Sequence, residues 1–135
     1  MFSPPEVGAA TESRHIVTEA DTANAWGNAG IHVLASPRLL HWVESTIAQL
    51  WPGRVEAGQV LLGTEFHLHH TGPAVLGSTV TVRASVSEID RRRYRYRFDA
   101  FDHAGPIGDG WSENYLMPRD AYEQRLDRRA AHPLK

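Results

Sequence analysis

Between Val80 and Ala100 the chain carries two runs of apolar–polar alternation. Val80, Val82, Ala84 and Val86 alternate with Thr81, Arg83, Ser85 and Ser87. After a turn near Asp90, Tyr94, Tyr96, Phe98 and Ala100 alternate with Arg95, Arg97 and Asp99. Successive side chains of a strand point to opposite faces, so this pattern describes an antiparallel hairpin with one apolar face and one wet face. Something else in the chain must cover the apolar face. That requirement constrains the fold more than any other feature.

The covering element is a helix. Ser36 suits an N-cap and Pro37 the first helical position, where a missing N–H costs nothing. Leu40, Val43, Ile47 and Leu50 then recur at three- and four-residue spacing, and Pro52-Gly53 ends the run. Glu44 lies four residues after Leu40 and three before Ile47, so it borders the stripe, where partial desolvation is expected.

The remaining segments read as strands and connections. From Gln59 to His70, alternation puts Thr64, Phe66, Leu68 and His70 on one face and Glu65, His67 and His69 on the other. Gly105-Pro106 makes a turn before a last strand at Ile107–Met117, and charged residues 119–129 suit a terminal helix. His15–Glu19 suits a short strand. Residues 1–11 read as a tail and 12–135 as one domain. Asp21–Leu34, with Trp26 among glycines and asparagines, reads as irregular or short-helical, placed as a lid over a pocket. A helix followed by a strand meander indicates an α+β protein. One helix covers one sheet face, so a homodimer is expected to hide the remaining apolar surface.

With 135 residues the chain suits a single core. A net charge of -2 gives no global field for nucleic acid, and the absence of cysteine excludes disulfides and thiolate chemistry. No apolar run approaches a membrane span, and no signal peptide is read before Ala10, so the expected setting is cytoplasmic.

Three residues carry the chemical expectations. His70 falls on the apolar face of its strand, the face against which the helix brings Glu44. A carboxylate beside an imidazole suits general acid–base work. A backbone-bonded core histidine fits the same spacing. Ser36 is a helix cap or, with a base nearby, a nucleophile or substrate-binding hydroxyl. His67-x-His69 resembles a metal-binding pair, but no second cluster completes a ligand set, so no metal or cofactor is expected. The run Arg91, Arg92, Arg93, Arg95 and Arg97 with Tyr94 and Tyr96 reads as a solvated strand face, not a nucleic-acid platform. One of these arginines suits contact with a coenzyme phosphate.

The order Ala35-Ser36-Pro37, Trp42-Val43-Glu44, Leu62-Gly63-Thr64-Glu65, His70 and Gly77 resembles the fluoroacetyl-CoA thioesterase type of hot-dog protein. The spacing of Ser36, Glu44, His70 and Gly77 matches that type without a gap, and the resemblance covers residues 12–118. It implies a hot-dog fold, a curved antiparallel sheet wrapped around one long helix. It also implies hydrolysis of a small or biosynthetic acyl thioester of coenzyme A or a carrier protein. Ser36, Glu44 and His70 would be catalytic, with Gly63, Thr64, Trp26 and Asn114 at the substrate; the family's pattern has an arginine where this chain has Asn114. The alternatives are another reaction on the same fold, a dehydratase, cyclase or decarboxylase, and a non-catalytic acyl-binding module.

Overall fold

The computed structural model describes residues 4–51, 55 and 58–133. Five antiparallel strands form one curved sheet: β1 (Ala10–Ile16), β2 (Gln59–His70), β3 (Thr79–Asp90), β4 (Arg93–Asp102) and β5 (Gly105–Pro118). Their order is β1-β3-β4-β5-β2, so β1 and β2 are the two edges. Helix α1 (Ser36–Ala48) packs on β3 and β1, and helix α2 (Arg119–Ala130) lies beside β2 and β5. This is the hot-dog arrangement.

The central hairpin follows the alternation. Val80, Val82, Ala84 and Val86 of β3 and Tyr94, Tyr96, Phe98 and Ala100 of β4 are all buried. Arg91 turns the chain between them in the left-handed region, at φ 58°. Each large apolar side chain so buried stabilises the fold by roughly 1.5–3 kcal/mol relative to exposure.

The helix differs from its expected register. Its buried residues are Leu39, Trp42, Val43, Thr46 and Ile47, while Leu40 is only half-buried and Leu50 lies just beyond the helix. Thr46 is polar and so was invisible to an apolar count. Its hydroxyl donates to the Trp42 carbonyl at 2.7 Å and meets Ser13 Oγ of β1 at 2.5 Å. That leaves Ser13 as donor to Thr46 and acceptor from His15 Nε2 at 2.8 Å, which fixes the His15 tautomer by elimination. The His15 ring stacks on Trp42 at 4.5 Å.

The ends differ too. The N-cap is Ala35, Ser36 is the first helical residue, and Pro37 follows in the first turn. Pro52 and Gly53, expected to end the helix, lie outside the described residues. Strand β1 runs over Ala10–Ile16, five residues earlier than expected and two inside the expected tail, and Glu19–Asp21 form a 3-10 turn. Strand β5 pairs on both sides along its length, and its buried residues fall in adjacent pairs (Ile107-Gly108, Ser112-Glu113 and Leu116-Met117), so its sequence does not alternate cleanly.

Candidate active site

The site lies where the start of α1 meets the end of β2. The approach to the helix is pinned by Leu34 N–H to the Ala74 carbonyl at 2.9 Å and Ala35 N–H to the Asp21 carbonyl at 2.9 Å. Beyond β2, the N–H groups of Thr71 and Gly72 both donate to the Ile107 carbonyl, at 2.8 and 3.0 Å. Two segments 34 residues apart in sequence are thereby held together, and Ser36 Oγ sits 2.6 Å from His70 Nδ1. Gly108, paired with His70 across the sheet, makes room for this. A side chain there would come within 2.6 Å of the His69 carbonyl and 3.3 Å of Leu39 Cδ2.

His70 is half-buried, and burial holds its pKa below the usual imidazole value; the nearby Gly72 main chain pulls the other way and is outweighed. The ring is therefore neutral at physiological pH, as a proton acceptor must be. Its Nε2 is shielded from solvent and, among the described residues, completes no hydrogen bond. A cavity of about 250 Å³ lined by Val33, His70, Thr71, Gly72 and Pro73 opens beside it. Two larger hollows, about 600 and 650 Å³, are lined around Arg97 and Phe98 and include neither Ser36 nor His70.

Glu44 is exposed on the flank of the buried stripe, not desolvated as expected, because the true stripe runs through Leu39, Trp42, Val43, Thr46 and Ile47. It stands eight residues from Ser36, about 12 Å along the helix axis. Thr64 has left the His70 face. A bulge between Gly63 and Glu65 interrupts the alternation, and Thr64 Oγ1 donates to the carbonyl and carboxylate of Glu113 at 3.1 and 3.2 Å. Asn114 is half-buried, with its amide 3.1 Å from the Tyr96 hydroxyl.

Trp26 sits in a turn closed by Ala23 N–H to the Val33 carbonyl and Asn24 N–H to the Ile31 carbonyl. Its indole N–H donates to the Ala20 carbonyl at 3.2 Å. Arg38 reaches from the first turn of α1 to lie 5.1 Å from the centre of the Trp26 ring while its Nε pairs with Asp21 at 3.0 Å. Sequence reading missed this clamp. The only signal was an arginine two residues after Ser36.

His67 and His69 turn away from the site. His67 stacks on Trp111 at 4.0 Å, with the Arg95 guanidinium 4.1 Å from the same indole, and His69 meets Asp109 at 3.3 Å. No group of three or more His, Cys, Asp or Glu is placed to hold a metal among the described residues. No helix among them is long and apolar enough to cross a membrane.

The family model described as fluoroacetyl-CoA-specific thioesterase matches residues 17–120. The chain belongs to that family. A fluoroacetyl-CoA thioesterase from Streptantibioticus cattleyicolor is 31% identical over 72 residues, which are 53% of this chain and 52% of that protein. The chain thus spans about half the length of the curated relative it matches.

Solved structures extend the likeness of fold across the chain. A hot-dog-like protein from Thermanaerovibrio acidaminovorans superposes with a TM-score of 0.86 at 23% identity, covering 96% of each chain. The fluoroacetyl-CoA thioesterase FlK gives 0.79 at 24%, covering 95% of this chain and 98% of its own. A thioesterase superfamily member from Thermus thermophilus also gives 0.79 at 24%, covering 93% and 96%.

Proposed function

We propose that this family member hydrolyses a small acyl thioester of coenzyme A, with Ser36, Glu44 and His70 as its catalytic groups. The observation that carries the reading is the 2.6 Å contact between Ser36 Oγ and His70 Nδ1, beside a ring kept neutral by burial. A neutral imidazole can take a proton from the serine hydroxyl or from water as the thioester carbonyl is attacked. The carbon–sulfur bond then breaks, and the proton passes to the departing thiolate. Attack by water leaves a carboxylic acid and free thiol at once, whereas attack by Ser36 leaves an acyl-serine ester and free thiol. A water that gives its proton to the same imidazole then cleaves the ester to the acid and restores Ser36. The first turn of α1, which bears Ser36, presents the positive end of the helix dipole to the oxygen that becomes negative. Coenzyme A is favoured over a carrier protein because a solved FlK structure holds acetyl-CoA.

We further infer a homodimer. Among the described residues strand β2 is a 12-residue edge paired only with β5, and such an edge invites pairing with a second copy. Gly63 and His70 are seven residues apart on that strand, roughly 23 Å at strand rise, so they cannot serve one thioester within one chain. Antiparallel pairing of two β2 edges brings the partner subunit's Gly63 end towards this chain's His70 end.

A panel of acetyl-, propionyl-, butyryl- and hexanoyl-CoA, followed by release of free thiol, tests the activity. Turnover of at least one short acyl-CoA that is lost in His70→Ala supports it. No release from any member overturns it.

A further inference from the structure

Phe66 is placed unusually. It stands mid-strand in β2 on the His70 face, yet it is 40% exposed, because α1 packs on β3 and β1 and leaves this part of the sheet uncovered. Its ring lies across Gly63. A Cβ at Gly63 would come 2.5 Å from Phe66 Cζ and 3.3 and 3.4 Å from Cε1 and Cε2. The bulge is what makes the two neighbours: with Thr64 removed from the alternation, Gly63 and Phe66 fall on the same face, as residues two apart do in a regular strand. Gly63 does not sit in the left-handed region, so its own backbone does not demand glycine; a side chain there would displace the far end of the Phe66 ring.

We propose that Phe66 is a specificity-determining residue, the wall that the acyl group meets where it approaches the Gly63 backbone. The inference rests on the thioesterase reading. Whatever enters against Gly63 meets the ring first, and the ring takes up the space a longer acyl chain needs. An apolar aromatic face without a polar atom suits an acyl chain, not a nucleotide or a charged head group.

The test compares kcat/KM for acetyl-, butyryl- and hexanoyl-CoA in the wild type, Phe66→Leu and Phe66→Ala, with melting temperature and light scattering for each. The hexanoyl-to-acetyl ratio should rise about tenfold or more in Phe66→Ala, since a methylene in an apolar pocket alters selectivity roughly 10- to 200-fold. Phe66→Leu should fall between and keeps the test open if the alanine variant folds poorly. An active wild type whose ratio moves less than about twofold in both variants overturns the role of Phe66 alone. That holds also where the substitutions alter the oligomeric state, which would make Phe66 an interface residue only. A wild type that hydrolyses none of the substrates overturns the thioesterase reading and this inference with it.

Discussion

Ser36 Oγ and His70 Nδ1 lie 2.6 Å apart, joining the first residue of α1 to the last residue of β2. The histidine partner comes with a buried Nε2 that no group among the described residues satisfies. Replacing His70 by Ala should therefore lower turnover by roughly 10²- to 10⁴-fold, the usual contribution of a positioned general base. Ser36→Ala separates two chemistries. Loss on the same scale as His70→Ala supports a nucleophile, whereas about tenfold supports a hydroxyl that orients the ring or the substrate. Because Ala35 and not Ser36 is the cap, the alanine variant should keep its melting temperature. Steady-state thiol release and a thermal melt on each variant decide.

The architecture was legible because period-two alternation in β3 and β4 and the three- and four-residue spacing in α1 report directly on burial. Departures came from features that periodicity cannot carry. Thr46 is a polar residue inside the core, and counting apolar residues alone turned the helix about its axis and drew Glu44 towards burial. The bulge at Thr64 leaves no mark in composition, so strict alternation kept Thr64 with His70. The residues alone pointed the helix at His70 through Glu44, and only the family resemblance joined Ser36 to His70. The geometry of that pair depends on backbone bonds from Ala74, Asp21 and Ile107, which no local pattern displays.

Glu44 gives the second prediction. It is exposed, and surface substitutions away from caps and buried networks usually change stability by less than about 0.5 kcal/mol. Glu44→Gln should melt with the wild type and still lose 10²-fold or more in kcat, as a carboxylate that acts on water requires. A variant that keeps its turnover would remove Glu44 from the mechanism and leave Ser36 and His70 as the working pair.

The third prediction concerns pH. Burial lowers the pKa of both His15 and His70 in the folded chain. Their unfolded counterparts titrate near the ordinary imidazole value of 6.5, so below it the unfolded state binds more protons. Stability from these groups is present above that pH and falls as the pH drops towards each folded pKa. Melting temperature should be flat above about pH 7 and decline below about 6.5, and a His15→Asn/His70→Asn double variant should lose much of that slope. The acid limb of kcat/KM should lie below the same pH, because His70 must be neutral to accept a proton. An unchanged slope in the double variant would place the titration elsewhere.

The fourth prediction is assembly. If the free edge of β2 pairs with its copy, light scattering at micromolar concentration should report twice 15.1 kDa. Stable pairs of this kind bury about 1,200–2,000 Å² in total. Because the proposed site takes Gly63 from one subunit and His70 from the other, specific activity should fall on dilution in step with dissociation. A monomer that retains full activity would end the shared-site reading.

The last prediction concerns Tyr96, whose hydroxyl lies fully buried between Trp51 Nε1 at 2.9 Å and the Asn114 amide at 3.1 Å. An indole N–H can only donate, and the Asn114 amide nitrogen donates as well, so the phenol oxygen accepts from both. Burial raises the phenol pKa to about 12, so it stays protonated through the neutral range. The unfolded phenol ionises near 10.0, so stability from this group is full below that pH and is lost as the pH rises through the folded value. Tyr96→Phe keeps the ring in its packed place but leaves two donors, the Trp51 indole and the Asn114 amide, without this acceptor, a loss of about 1–3 kcal/mol. Asn114→Leu alone should cost less, because Trp51 keeps its acceptor. Combined with Tyr96→Phe it should recover part of the loss, since one orphaned amide is then gone. Denaturant melts of the three variants measure this, with kcat on the same samples as the second readout. An Asn114→Leu protein that is stable but weak in KM would show that the side chain reaches substrate; one that is less stable with unchanged KM would assign it to the Tyr96 network.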